Sequence, residues 1–340
     1  MSNPLLDFSG LPRFAEITNE HIAPAIEALL EENRALIEKV RTDTQAPTWQ
    51  NFVQPMVDAS ERLSRAWGQV SHLNAVMNTP QLREIYNANL PLITQFYAEL
   101  SQDVLLFERF KQLRKSSEFN HLTSTRKKII ENELRDFRLG GAELPSEKKQ
   151  RFLQIQKELS NLSSKFNDNL LDATNAYELL IEDAKTVAGI PDDVLQAAKE
   201  LAAADSKAGW KFTLHMPSYL PVMQYADDRS LREKMYRANA TRASEFDSPA
   251  GSDRDNMLLI NEILKLRQEE AQMLGYENYA EVSLVTKMAA SPQQVLDFLR
   301  ELAIKAKLYA ERDLQTLKQF AAEKLNLPKL ETWDVAYASE

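Results

Sequence analysis

HIAPAIEALLEENRALIEKV, residues 21–40, sets Ile22, Ile26, Leu29, Leu30, Leu36, Ile37 and Val40 at i, i+3/i+4 and i+7 intervals. That spacing gathers the apolar side chains on one face of an α-helix. The same pattern extends along the chain. Met56, Leu63, Trp67, Val70, Leu73 and Val76 form a second stripe. Residues 82–113 read as another long helix, with a kink or break expected near Asn89–Leu90 because Pro91 follows. Residues 122–137 read as helix, stopped by Gly140-Gly141. The next helix starts near Pro145-Ser146-Glu147-Lys148 and carries Phe152, Ile155, Leu159, Leu162, Phe166, Leu170 and Leu171, ending near Ile181. Long helices with short connections predict a mainly α bundle or helical array.

The pattern changes once. Gly189-Ile190-Pro191-Asp192 opens a short helix, and residues 202–209 form a small-residue linker. Trp210, Phe212, Leu214 and Met216 then alternate with Lys211, Thr213 and His215, the period of a strand. Pro217-Ser218-Tyr219-Leu220-Pro221 is expected to turn it, and Val222-Met223-Gln224-Tyr225 to pair back. The sequence thus predicts one small β element near residues 210–225. Helices resume over 230–244, 256–274 and 292–325. A domain boundary is expected near residue 205, dividing 1–205 from 206–340. Residues 333–340 read as the opening of a helix with no cap. The chain is therefore expected to be cut from a longer protein, with Trp333 and Val335 left exposed.

Composition narrows the function classes. The chain has 340 residues, 44% of them apolar and 27% charged, with a net charge of −9. Its length suggests about two domains. An acidic surface with only short basic runs, such as Arg126-Lys127-Lys128, argues against nucleic acid as a partner. Cysteine is absent, which excludes disulfides and thiolate chemistry in this chain and fits a reducing, cytoplasmic setting. The first residues show no signal-peptide pattern, and no run of 18 apolar residues exists, so no membrane association is expected. Glycine numbers eight, and neither glycine-rich phosphate-binding motif occurs.

Candidate chemistry is sparse. The histidines are His21, His72, His121 and His215, and no H-E-x-x-H is present. Glu118-x-x-His121 has a spacing that puts both ligands on one helix face, as in di-iron bundles, but it occurs once. His215 is expected to face solvent or a cleft. Asp227-Asp228 and Glu269-Glu270 are adjacent pairs whose side chains point apart, so neither forms a dyad; Asp228 is expected to cap the following helix. Ser146-x-x-Lys149 lacks the motifs that accompany an S-x-x-K nucleophile. Arg232, Arg237 and Arg242 could bind a carboxylate, with ion pairs to Glu233 or Asp228 as the simpler reading. No complete set of catalytic or metal-binding residues emerges.

An ordered set of segments nonetheless has a clear likeness. It runs from Pro4-Leu5-Leu6 through Arg135-Asp136-Phe137-Arg138-Leu139-Gly140-Gly141 and Pro217-Ser218-Tyr219-Leu220-Pro221-Val222-Met223. It continues through Arg232-Glu233-Lys234-Met235-Tyr236-Arg237-Ala238 and Gln272-Met273-Leu274-Gly275-Tyr276-Glu277-Asn278-Tyr279 to Ser283-Leu284-Val285-Thr286-Lys287-Met288. The set resembles the thimet-oligopeptidase (M3) family of zinc metallopeptidases. The resemblance implies a cytosolic, mostly helical enzyme, monomeric at full length, that hydrolyses short unfolded peptides, cleaved signal peptides among them. It implies one zinc ion, held by two histidines of H-E-x-x-H and a later glutamate, with the motif glutamate as general base. None of those groups occurs here. The chain therefore looks like the N-terminal half of such an enzyme: a helical channel wall over 1–205, and the start of the catalytic domain over 206–340. No catalytic, cofactor-binding or metal residue is expected in this chain, which alone should be inactive. The alternatives are a non-catalytic helical module that binds peptides or partners, and a di-iron carboxylate bundle built on Glu118 and His121.

Overall fold

The computed structural model describes residues 3–246 and 253–340. These residues form fourteen α-helices and one two-stranded sheet, a mainly α fold as expected. They pack as two compact units, Met1–Ser164 with Lys265–Val282, and Lys165–Leu264 with Ser283–Glu340.

The first unit is built from α1 (Asn19–Thr42), α2 (Gln54–Val76), α3 (Pro80–Ser101), α4 (Val104–Lys115), α5 (Ser117–His121) and α6 (Ser124–Leu139). The N-terminal part of α7 (Ser146–Ala176) completes the run. The stripe of residues 21–40 does what its spacing predicts. Ile22, Ile26 and Leu29 are fully buried against Leu63, Val70, Ile93 and Phe96 of α2 and α3. A second core holds Phe52, Phe107, Phe110 and Phe137, whose rings meet at 4.7 Å (Phe52–Phe110) and 5.6 Å (Phe107–Phe137 and Phe110–Phe137). Such tilted aromatic contacts add to the burial of apolar area.

The expected break at Pro91 is not where the chain breaks. α3 continues through Pro91, held by the buried flanking residues Asn89 and Ile93. The interruption falls at Gln102–Asp103, where the Asp103 carboxylate accepts from the Leu106 amide at 3.0 Å and caps α4. Burial on both sides of a proline can outweigh the single backbone donor it removes.

The second unit begins within α7 and adds the strands β1 (Leu179–Ile181) and β2 (Trp210–Phe212) around α8 (Asp192–Ala204), then α9 (Met216–Tyr225) and α10 (Arg229–Ala240). The strands pair antiparallel, with Leu179 opposite Phe212 and Ile181 opposite Trp210. This corrects the expected β element in two ways. Residues 179–181 are strand rather than helix end, because a three-residue apolar run is ambiguous until its partner is known. Residues 222–225 are helical, because Pro217 sits in the first turn of α9, where its missing N–H costs nothing. Gly209 leads into β2 at φ +101°, where a Cβ would overlap the Ile181 carbonyl.

α11 (Met257–Met273) and α12 (Tyr279–Leu284) lead to α13 (Pro292–Lys324) and a terminal α14 (Val335–Ser339). Trp333 is not left exposed as expected. It packs on the core of the second unit, its ring 6.1 Å from Tyr236. Val335 does remain exposed.

One buried ion cluster fastens this terminal segment. Asp334 has no exposed surface. Its carboxylate accepts from Arg229 Nε and Nη2 (2.6–3.0 Å) and from Arg232 Nη2 at 2.9 Å. Arg232 is itself buried, donates to the Ala226 carbonyl at 2.6 Å and lies 4.0 Å from the Tyr337 ring centre. The Tyr337 hydroxyl donates to Asp227 at 2.9 Å. Burial alone would raise the Asp334 carboxyl; hydrogen bonds from Arg229, the Glu331 amide and Arg232 outweigh it and hold the group below its ordinary range. Asp334→Ala leaves Arg232 buried without a counter-charge, and should cost about 3–5 kcal/mol of stability, read from the urea midpoint and from hydrogen exchange over 331–340. Because the folded Asp334 pKa lies below the unfolded one, its stabilisation is present above the unfolded value and is lost as pH falls through the folded one. Protection factors over 331–340, taken relative to intrinsic exchange at each pH, should therefore hold steady from neutral pH to about pH 4 and fall below it.

Candidate functional site

The residues singled out by sequence are each engaged locally. Glu118 in α5 accepts from the Trp49 amide at 2.9 Å, anchoring the turn before α2. His121 is 2.9 Å from the Ser117 carbonyl through Nδ1. The pair shares a short helix, but its donors are committed to different backbone groups. His21 completes the capping box of α1 with Thr18. His72 lies against Phe14, ring centres 5.3 Å apart. His215 is exposed at the N-terminal end of α9, beyond the end of β2 rather than on it. Among the described residues, no group of three or more His, Asp or Glu side chains is placed to hold a metal ion. The described residues thus do not supply the donor set of the zinc that the family resemblance implies.

The acidic pairs divide as adjacent residues must. Asp228 caps α10, accepting from the Ser230 and Leu231 amides at 2.8 and 3.1 Å. Asp227 turns to the Tyr337 hydroxyl. Glu269 forms a two-pronged pair with Arg151 of α7, at 2.7 and 2.6 Å, and those bonds hold its carboxyl low. Glu270 is buried and accepts from Gln156 at 3.0 Å. Burial raises its carboxyl.

Ser146 and Lys149 open α7, with Lys149 donating to the Gln102 carbonyl at 3.1 Å. Arg237 pairs with Glu233 at 2.8 Å, as the simpler reading expects. Arg242 donates to Thr174 at 3.1 Å. Arg232 departs from expectation. Its carboxylate partner is Asp334, 102 residues away, which no local pattern reveals. The visible signal was only the helix-opening pattern around residue 333.

Among the acid-lined cavities of the first unit, two contain a carboxyl group raised by burial. One, of about 270 Å³, is lined by Glu270, Gln156, Tyr97, Thr94 and Ser101. The other, of about 360 Å³, is lined by Glu133, Ser60, Ser64, Met56 and Phe110. Burial raises the Glu133 carboxyl. Each offers one carboxyl group of raised pKa and serine or threonine hydroxyls, but no histidine to act as their base. Neither assembles the base, nucleophile and oxyanion donors that acyl transfer to water requires.

The family described as Neurolysin/Thimet oligopeptidase, N-terminal domain matches residues 26–149, and Peptidase family M3 matches residues 222–340. Oligopeptidase A of Haemophilus influenzae is 47% identical over 340 residues, covering 100% of this chain and 50% of the relative. Oligopeptidase A of Escherichia coli is 44% identical over the same span, and a probable cytosolic oligopeptidase A of Arabidopsis thaliana is 39% identical over 349 aligned positions. The chain spans about half the length of the curated relatives it matches. Two matches in family order, together with alignment across the whole chain, identify it as a member of peptidase family M3.

Proposed function

We propose that this chain is the N-terminal portion of a zinc-dependent oligopeptidase that cleaves short unfolded peptides, cleaved signal peptides among them. The observation that carries this reading is identity of 47% along the whole chain to an oligopeptidase A of which it spans half. In this reading the zinc, its H-E-x-x-H ligands and the general base lie outside residues 1–340. What this half contributes is rigid walls and shape: residues 1–205 as channel wall, and 206–340 as the opening part of the catalytic domain. The helix caps and buried ion pairs described above suit that task, since they fix backbone positions without supplying reactive groups. The metal, when bound in the family-length enzyme, lowers the pKa of a coordinated water.

The same reading makes the family-length protein a monomer in the cytoplasm, with peptides as partners and neither nucleic acid nor membrane involved. Supporting it, no helix among the described residues is long and apolar enough to cross a membrane, and the net charge of −9 is ill suited to a phosphate backbone.

The test is a paired assay on a quenched fluorescent peptide. The pure 340-residue chain should retain no zinc after gel filtration and show no cleavage above background. A chain of family length should cleave, lose activity on chelation and regain it with zinc. Chelator-sensitive cleavage by the 340-residue chain, or no cleavage by the longer one, contradicts the proposal.

A further inference from the structure

α13 runs for 33 residues, roughly 50 Å at 1.5 Å per residue. Most helices of the chain bury one stripe; this one buries only Ala321, near its C-terminal end. Yet its sequence is strongly two-sided. At 100° per residue, Val295, Leu299, Leu302, Tyr309, Leu317 and Phe320 fall within a sector of roughly 80°. Leu299, Leu302, Tyr309 and Phe320 are 53%, 48%, 62% and 46% exposed. Asp313 and Lys324 share that sector, and the exposed Leu296, Phe298, Ile304, Leu308 and Leu314 lie outside it. The opposite face mixes both signs of charge and pairs them along the helix, Arg300 with Asp297 at 3.5 Å and Lys307 with Glu311 at 3.7 Å.

We infer that this stripe is an interaction surface whose occupant is the remaining half of the family-length polypeptide. Three observations select that occupant. A long apolar stripe left in water marks a surface made to be covered. The charged face is already neutralised by its own pairs and lacks the Lys/Arg-rich character of a helix that lies on a lipid surface. The relatives that match all of this chain continue for about as many residues again, so a polypeptide long enough to cover the stripe is part of the same molecule. The helix also lies inside the span matched by Peptidase family M3, residues 222–340. The inference rests on the reading above that this chain is part of a longer enzyme, and it deepens that reading. α13 is then the seam that binds the two halves, rather than a wall of the peptide path.

The absence of cysteine from this chain gives a direct test. Leu302→Cys and Tyr309→Cys place a thiol on the stripe, and Lys307→Cys places one on the charged face. Each variant is made in the 340-residue chain and in the family-length chain. Reaction with a water-soluble maleimide is followed by mass spectrometry of the labelled peptide, with cleavage activity measured in parallel. The stripe thiols should react freely in the 340-residue chain and at least about 100-fold more slowly in the longer one, as expected for a site reached only through local opening. The Lys307→Cys thiol should react equally in both. Equal reactivity of the stripe thiols in both chains overturns the inference. So does protection in the 340-residue chain that grows with its concentration, which would assign the stripe to a second copy. A reading frame that yields no chain longer than 340 residues also overturns it. A family-length protein with a protected stripe but no cleavage would refute the enzyme reading alone. Cleavage with an unprotected stripe would refute the seam alone.

Discussion

A helix carrying an apolar stripe has to cover it, and this constraint organises the chain. In the first unit the constraint is met internally, with α1 lying over α2 and α3 and an aromatic core of Phe52, Phe107, Phe110 and Phe137. In the second unit it is met around the two strands by Leu179, Phe212, Leu214, Val222 and Met235. Among the described residues, α13 buries only Ala321. At roughly 25 cal/mol per Å² of apolar area removed from water, a stripe of six large side chains is a strong driving force for association.

Polar ties then decide which geometry the apolar packing adopts. The Asp334 carboxylate draws the terminal segment onto α10 through Arg229 and Arg232; Tyr337 lies against Arg232 and Trp333 against Arg237. Arg151 and Glu269 tie α7 to α11 within the first unit. A buried pair such as Arg232–Asp334 adds little net stability over an apolar replacement, but removing one partner is costly, so it discriminates strongly among alternative packings.

The helical fold could be read from the sequence because stripes and caps are local. Residues 21–40 show their buried face in their spacing, and Asp228 sits where a side-chain cap is needed. What depended on distant partners could not be read. Leu179–Ile181 is a strand only because Trp210–Phe212 lies beside it, and Arg232 finds its counter-charge 102 residues away. Pro91 misled for the same reason, since buried neighbours override a local helix breaker. At the candidate positions the residue types suggested local roles, and Glu118, His121 and Glu269 each bond to a nearby protein group. The ordered motifs identified the family, which no single side chain could.

The central claim is that this chain supplies the frame and that the reacting groups lie beyond Glu340. Sequencing the source reading frame past Glu340 tests it most directly. The account predicts that the frame continues, reaching H-E-x-x-H and a later glutamate ligand over a length similar to that of the present chain. A stop codon immediately after Glu340 would contradict it, and would leave a helical module with an uncovered apolar helix in place of half an enzyme.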